Sequence, residues 1–275
     1  MRTLALPDLG FLGGSAGGPP PSYDADAQAM FDARALLGDE PSASYKQAIS
    51  DYVTDLKAIS GFWDDIIQLV VFAGATTIAG AILPIKGASL TNINFINSDV
   101  NLKTGVKGNG STKYLQSGYS GTVSGTAQND FHCYGYYTEM PTTNATALFG
   151  QGGATTTGGT MILYGTGANS TNCKSRAASA DAVTGNTGVG GYGVNRTASG
   201  NYQAMRAATT STITRTSQSA PARRMHILAR TGNSDDNPAN HSDARILVWA
   251  LGAGLSSLDD YSTPTADLVT ALNAI

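Results

Sequence analysis

Charge is scarce in this sequence. Lys, Arg, Asp and Glu make up 13% of 275 residues, about half of what globular domains usually carry. The 17 basic and 20 acidic residues leave a formal net charge of −3, and no block of Lys or Arg occurs. Counterion release on a nucleic acid needs such a block, so nucleic-acid binding is not expected. The pair Arg223–Arg224 reads as a solvated strand end. Cysteine is nearly absent: Cys133 and Cys173 cannot build a disulfide framework or a Cys-rich zinc site. Cys133 lies in an apolar strand pattern and reads as a buried free thiol. Long apolar runs are also missing. The richest stretch, Ile66–Leu83, carries Gln68, Thr76, Thr77 and two glycines before Pro84, which suits a buried helix or hairpin better than a membrane span. Residues 1–20 have no sustained apolar core of the kind a signal peptide needs. Synthesis in a cytoplasm is therefore expected, with export by a route other than secretion.

Gly, Thr, Ser and Asn fill the space that charge leaves. Thr is β-branched, and Gly and Asn supply positive-φ turn positions, so the composition points to a mainly β protein. Its length suits one sandwich domain with a smaller appendage. Residues 1–22 read as an extended arm and linker, an apolar tag followed by Gly-rich and Pro-rich segments. Leu4, Leu6, Leu9, Phe11 and Leu12 are too few to form a core and are expected to dock on a partner; folding back on the chain's own domain is the alternative.

Residues 23–87 read as a helical collar. Tyr45, Ile49, Tyr52, Val53, Leu56 and Ile59 recur at helical spacing, with Pro41–Ser42 as a start, Ser44 and Gln47 as a capping box, and Gly61 as a stop. From residue 88 short strands alternate with turn clusters, among them Asn92–Ile96, Phe131–Met140, Thr160–Tyr164, Gln203–Ala207, Thr210–Thr216, Met225–Ala229 and Ala244–Leu251. No fixed repeat is present. A C-terminal helix follows, with Thr263 as its cap and Pro264 as its first residue.

Several blocks resemble a family of phage virion proteins. The run Gly61–Ala73 is similar to the helix that precedes the β domain in that family. Thr104-Gly-Val-Lys-Gly-Asn-Gly-Ser-Thr-Lys-Tyr-Leu115 resembles its turn signature, and Gln128–Tyr137 its aromatic strand. Ala244–Gly252 with Gly254-Leu-Ser256 is also similar to the last strand of concanavalin-like (laminin-G-like) jelly rolls. The resemblance spans residues 40–275 and implies an antiparallel jelly-roll β-sandwich over 88–275. It further implies a structural role in a tailed bacteriophage particle, on a tail fibre, baseplate, head spike or as a capsid decoration. The expected partners are other virion proteins through the arm, further copies of the chain (a trimer first) and host surface polysaccharide.

Chemistry is thin. No His-Glu-x-x-His or Gly-x-Ser-x-Gly occurs. Gly188–Gly193 fits Gly-x-Gly-x-x-Gly but leads to no helix, so a dinucleotide site is not expected. Lys113 follows a Gly-rich turn without phosphate-loop spacing. Paired acids could serve a polysaccharide depolymerase, and Asp64–Asp65, Asp259–Asp260 and Glu139 are the visible acids. The residues alone do not place any two in one groove, so a non-enzymatic role leads. Asp235, Asp236, Asn237 and Asp243 form an oxygen-rich stretch that could hold Ca²⁺, against the reading of an ordinary polar hairpin; no other cofactor is expected. Tyr134, Tyr136, Tyr192 and Tyr202 are the candidate platform for stacking on sugar rings, against the commoner role of half-buried sandwich tyrosines.

Overall fold

A computed structural model describes residues 22–121, 126–165, 170–185 and 188–275. Helices α1 (Ala25–Leu36) and α2 (Ala43–Ala58) and a single turn, α3 (Phe62–Asp65), lead into strand β1 (Ile66–Val71). A second single turn, α4 (Ile78–Ala81), precedes β2 (Thr91–Ile93), β3 (Val100–Asn101), β4 (Gly105–Lys107), β5 (Tyr114–Ser120) and β6 (Phe131–Glu139). Next come β7 (Thr146–Gln151), β8 (Gly159–Tyr164), β9 (Ser170–Ala177), β10 (Asp181–Thr184), β11 (Gly190–Arg196), β12 (Asn201–Arg206) and β13 (Thr209–Thr214). The chain closes with β14 (Arg224–Ile227), the short hairpin β15 (Arg230–Thr231) and β16 (Pro238–Ala239), β17 (Arg245–Gly252) and α5 (Ser262–Ala274). No helix among the described residues is long and apolar enough to cross a membrane.

The strands form two antiparallel sheets. The first runs β13-β12-β11-β6-β17-β4-β3, with β1 also paired to β17; the second runs β10-β9-β8-β7-β14-β5-β2. Between them lies one core, containing Trp249, Phe149, Val70, Phe72, Leu115, Ile162 and Val194. A second core lies on the outer face of the first sheet. There Leu69, Val71, Val248 and Ala250 meet Met30, Phe31, Ile49, Tyr52, Val53 and Leu56 of the first helices and Leu268 and Leu272 of α5. The molecule is thus a jelly-roll-like sandwich with a third, helical layer.

The double burial explains β1 and β17. A strand covered on both faces reads as a continuous apolar run instead of an alternating one. Ile246-Leu-Val-Trp-Ala-Leu251 sends Trp249 and Leu251 between the sheets and Val248 and Ala250 toward the helices. Ile66–Val71 does the same, so it is a strand, not the buried helix or hairpin its composition suggests. Of the family-like run Gly61–Ala73, only the single turn α3 is helical. Residues 66–72 belong to the first sheet and its core, and the helices before them pack on the outer face of that sheet.

Local signals hold in part. Asp24 caps α1, its carboxylate accepting from the backbone N–H groups of Asp26 and Ala27. Helix α2 starts after Ser42, which places Ser44 inside the first turn; Gln47 bonds Asp51, and the expected capping box does not form. Gly61 stops the helical stretch with φ +75. The C-terminal helix begins at Ser262, one residue before the expected cap, and Pro264 sits within its first turn, where no backbone donor is needed.

Few side chains are charged, yet several of them are buried cations. Arg34 is fully buried and donates to the carbonyls of Gly80, Ala73 and Val71 at 3.0, 2.8 and 2.8 Å, stapling α1 to β1 and α4. Burial pushes its pKa down to about 10. Lys174 donates to the carbonyls of Gly153, Ala154, Thr156 and Ala178 and so ties loop 152–158 to β9, with burial pushing its pKa to about 8. Gln68 spans both sheets: it accepts from Trp249 Nε1 at 3.0 Å and donates to Ala88 O and Ser117 O. Both thiols, Cys133 and Cys173, are free and buried.

Candidate functional site

The tyrosine platform does not exist as a surface. Tyr134 points from the first sheet into the helical layer, stacks on Tyr261 with centroids 4.1 Å apart, and donates to Thr265 Oγ1 at 3.3 Å. Tyr192 and Tyr202 lie between the sheets, donating to Gly188 O and Cys173 O, each at 2.8 Å. All three are at most 1% exposed, so no sugar ring reaches them. Burial raises each phenol pKa well above its ordinary value. Tyr136 is half-buried against the helical layer.

The oxygen-rich stretch likewise gives no ion cage. Asp235 accepts from the backbone and side-chain amides of Asn237, and Asp236 accepts from Arg224 N. Asp243 turns away to bond the backbone N–H and hydroxyl of Thr142. Among the described residues no group of three or more His, Cys, Asp or Glu side chains is placed to hold a metal ion. A polar hairpin turn, stabilised by its own amides, accounts for the pattern.

The other motifs dissolve similarly. Gly190–Arg196 is strand β11, not a loop entering a helix. Lys113 is paired with Asp99. Glu139 holds Lys107 and Arg245, and the hydrogen bond from Lys107 leads in drawing its pKa down, so it is a counter-ion and not a free acid. The pKa of Asp65 on α3 is raised by partial burial and by Asp130 and Asp64, yet Asp65 lines neither of the grooves of about 400 and 440 Å³ among the described residues. Leu4, Leu6, Leu9, Phe11 and Leu12 lie outside the described residues.

The acids that do converge come from opposite ends of the chain. A groove of about 400 Å³ runs between the C-terminal end of α2, the turn Leu258–Tyr261 and the start of α5. Asp55, Asp259, Asp260 and Asp267 line it, over a floor of Ala58, Ile59 and Pro264. Asp259 accepts from the Thr210 hydroxyl at 2.5 Å and Asp260 from Ser256 at 3.0 Å, which fixes both carboxylates. The Asp55 pKa is raised, chiefly by partial burial and then by Asp267 and Asp51. No aromatic side chain or cation lines the groove, so it repels anionic ligands and offers no stacking face. Of the four acids, only Asp259–Asp260 stands out in the sequence. Asp55 reads there as part of the solvated face of an amphipathic helix.

No family model and no curated protein matches the sequence. Among solved structures, a Trypanosoma rangeli sialidase mutant displaying trans-sialidase activity is similar at a TM-score of 0.48 and 12% identity, covering 82% of this chain and 38% of the sialidase. A mutant of HCR/D gives 0.44 and 7%, covering 77% and 52% of the two chains. A GH54 α-L-arabinofuranosidase mutant gives 0.39 and 12%, covering 74% and 43%. The chain thus spans about two-fifths of the length of the sialidase chain it matches.

Proposed function

We propose that this chain is a structural component of the surface of a tailed bacteriophage particle, an appendage such as a tail fibre, baseplate element or head spike that displays the sandwich outward. The observation that carries this reading is that the central strands of both sheets are covered on their outer faces. Helices cover the first sheet; loop 152–158 and the β15–β16 hairpin lie over the second, as the contacts of Lys174 and Gly150 show. A closed, filled sandwich suits a rigid display module better than a lectin or hydrolase that grips its ligand across a sheet. The resemblance of Thr104–Leu115 and Ala244–Gly252 to virion proteins supports the same reading, as does the apolar segment Leu4–Leu12 as a docking peptide for other virion proteins. Contact with host polysaccharide then falls to the loops and the acidic groove, not to the sheet tyrosines.

The test is mass spectrometry of gradient-purified phage particles. Peptides of this chain at a fixed copy number per particle are the expected result; their absence rejects the assignment. An even distribution over the head, seen by labelling, would replace the appendage with a decoration protein.

A second reading, a polysaccharide depolymerase, is favoured by one observation. Asp55, its pKa raised by partial burial and by Asp267 and Asp51, shares a groove with three further aspartates, and glycoside cleavage works through a pair of carboxyl groups flanking the scissile bond. If this groove cleaves glycans, Asp55→Asn and Asp260→Asn each lower the release of reducing ends from host polysaccharide by about a hundredfold or more. A native chain that releases none removes this reading.

A further inference from the structure

Strand β14 places His226 on the outer face of the second sheet, because its neighbours Met225 and Ile227 both enter the core between the sheets. His226 is nevertheless completely buried. Its cover is segment 228–243, which folds back over β7: a Cβ on Gly150, the residue opposite His226, would lie 2.6 Å from Arg230 Cβ. Neither ring nitrogen of His226 has a hydrogen-bond partner, and Nε2 of His241 on the same segment is buried without one. Both imidazoles pack on Tyr114, with centroids 4.7 and 5.7 Å from its ring. A buried imidazole lacking partners on both sides is a costly arrangement, and a second proton on it would cost far more.

The surroundings only partly prepare a place for that proton. Arg224 on its own strand and His241 on the covering segment oppose it, the Asp236 carboxylate and the nearby Arg230 backbone favour it, and burial outweighs both. From β5 come only the neutral Tyr114 and Gln116, and β7 contributes Gly150. The covering segment is anchored at both ends: Leu228 lies in the core and its backbone bonds Leu148 O and Ser242 N, while Asn240 bonds Ala147 N and Ala145 O. Its middle is held by the two-pair ladder of Arg230 with Ala239 and Thr231 with Pro238, by Gly152 N to Thr231 Oγ1, Arg223 to Gly232 O and Thr156 Oγ1 to Asn233 O, and by Arg224 N to Asp236.

We infer that residues 228–243 form a latch over the second sheet, closed while His226 is neutral and released when His226 takes up a proton. Burial holds the His226 pKa down to about 4, so the proton binds readily only after the latch has lifted and the ring has regained its ordinary value near 6.5. Release exposes the face formed by Tyr114, Gln116 and His226. It gives the molecule's surface a part that responds to mildly acidic surroundings without unfolding the sandwich. The latch stands whether or not the chain is a virion protein, since it uses none of the groove or arm residues.

Hydrogen exchange on the full chain at pH 7 and pH 5, corrected for intrinsic rates, tests the inference. Between those values the opened population is expected to rise about twentyfold, read as lost protection in peptides from 228–243 while β6 and β17 peptides keep theirs. In His226→Gln the twentyfold change should vanish, and in His241→Asn it should persist. Unchanged protection in 228–243, an equal change in His226→Gln, or loss in β17 at the same pH would each overturn the latch. If His226→Gln does not fold, the His226 imidazole resonance of the native chain decides instead: titration coincident with loss of 228–243 protection supports the latch, and titration without it overturns it.

Discussion

Replacing Arg34 with Met is expected to lower the free energy of unfolding by about 3 kcal/mol, measured as a fall in the urea midpoint at unchanged slope. The substitution removes the Arg34 donors from the buried carbonyls of Val71 and Ala73, and from Gly80 O, which keeps the backbone N–H of Leu83. Relief of the buried charge offsets part of that loss, and so the figure is smaller than three full desolvation penalties. Arg34→Lys keeps the charge but not the three-pronged fork, and should recover less than half. The transition also discriminates between architectures. Arg34 lies on α1, and its acceptors lie in or beside the sheet and α4, so helical circular dichroism and tryptophan fluorescence should still move together in the variant. If the helices were a separate collar, the helical signal and the Trp63 fluorescence would be lost first, and the fluorescence change from Trp249 would stay where it is.

Acid should destabilise the fold through His132. Its Nδ1–H donates to Ala253 O, which leaves Nε2 to accept from the Tyr261 hydroxyl at 3.0 Å. The ring is completely buried, and burial lowers its pKa to about 4 from 6.5. The folded pKa is below the unfolded one, so the unfolded chain binds the proton more readily. The stabilisation is therefore fully present above pH 6.5 and is lost as pH falls from 6.5 toward 4. At about 1.4 kcal/mol per unit, the loss by pH 4 comes to about 3 kcal/mol. Chemical denaturation at pH 7, 5.5 and 4.5 should show the decline, and His132→Gln should flatten it to whatever His226 contributes. A stability that stays level down to pH 4.5 would show that His132 is not held neutral.

Much of the fold is visible in the sequence, and the gaps have physical causes. Phe131–Met140, Thr160–Tyr164 and Ala244–Leu251 each lie within about a residue of the strands that form. The turn signals on either side of them are strong, and boundary scatter of this size is ordinary. Ile66–Val71 is hidden because a strand buried on both sides has no alternation, and a short apolar run fits a helix equally well. Strands β9 and β11 are hidden by their Asn, Gly and Ser content, which reads locally as loop.

The same double burial misleads at the tyrosines. Tyr134, Tyr192 and Tyr202 do lie on strands, but alternation signals inside and outside only when one face meets water. Here Tyr134 leaves the inter-sheet core merely to enter the helical one. The acidic groove had half a signal. Asp259–Asp260 is conspicuous, whereas the approach of Asp55 and Asp267 depends on α2 packing against α5, a contact between the two ends of the chain that no local pattern encodes.

The central claim, a display module on a phage particle, is tested most directly by electron microscopy of intact particles decorated with gold-labelled antibody against the folded chain. Label confined to tail fibres, the baseplate or head spikes is the predicted result. Particles that carry no label, from a preparation in which the antibody binds the purified chain, would contradict it.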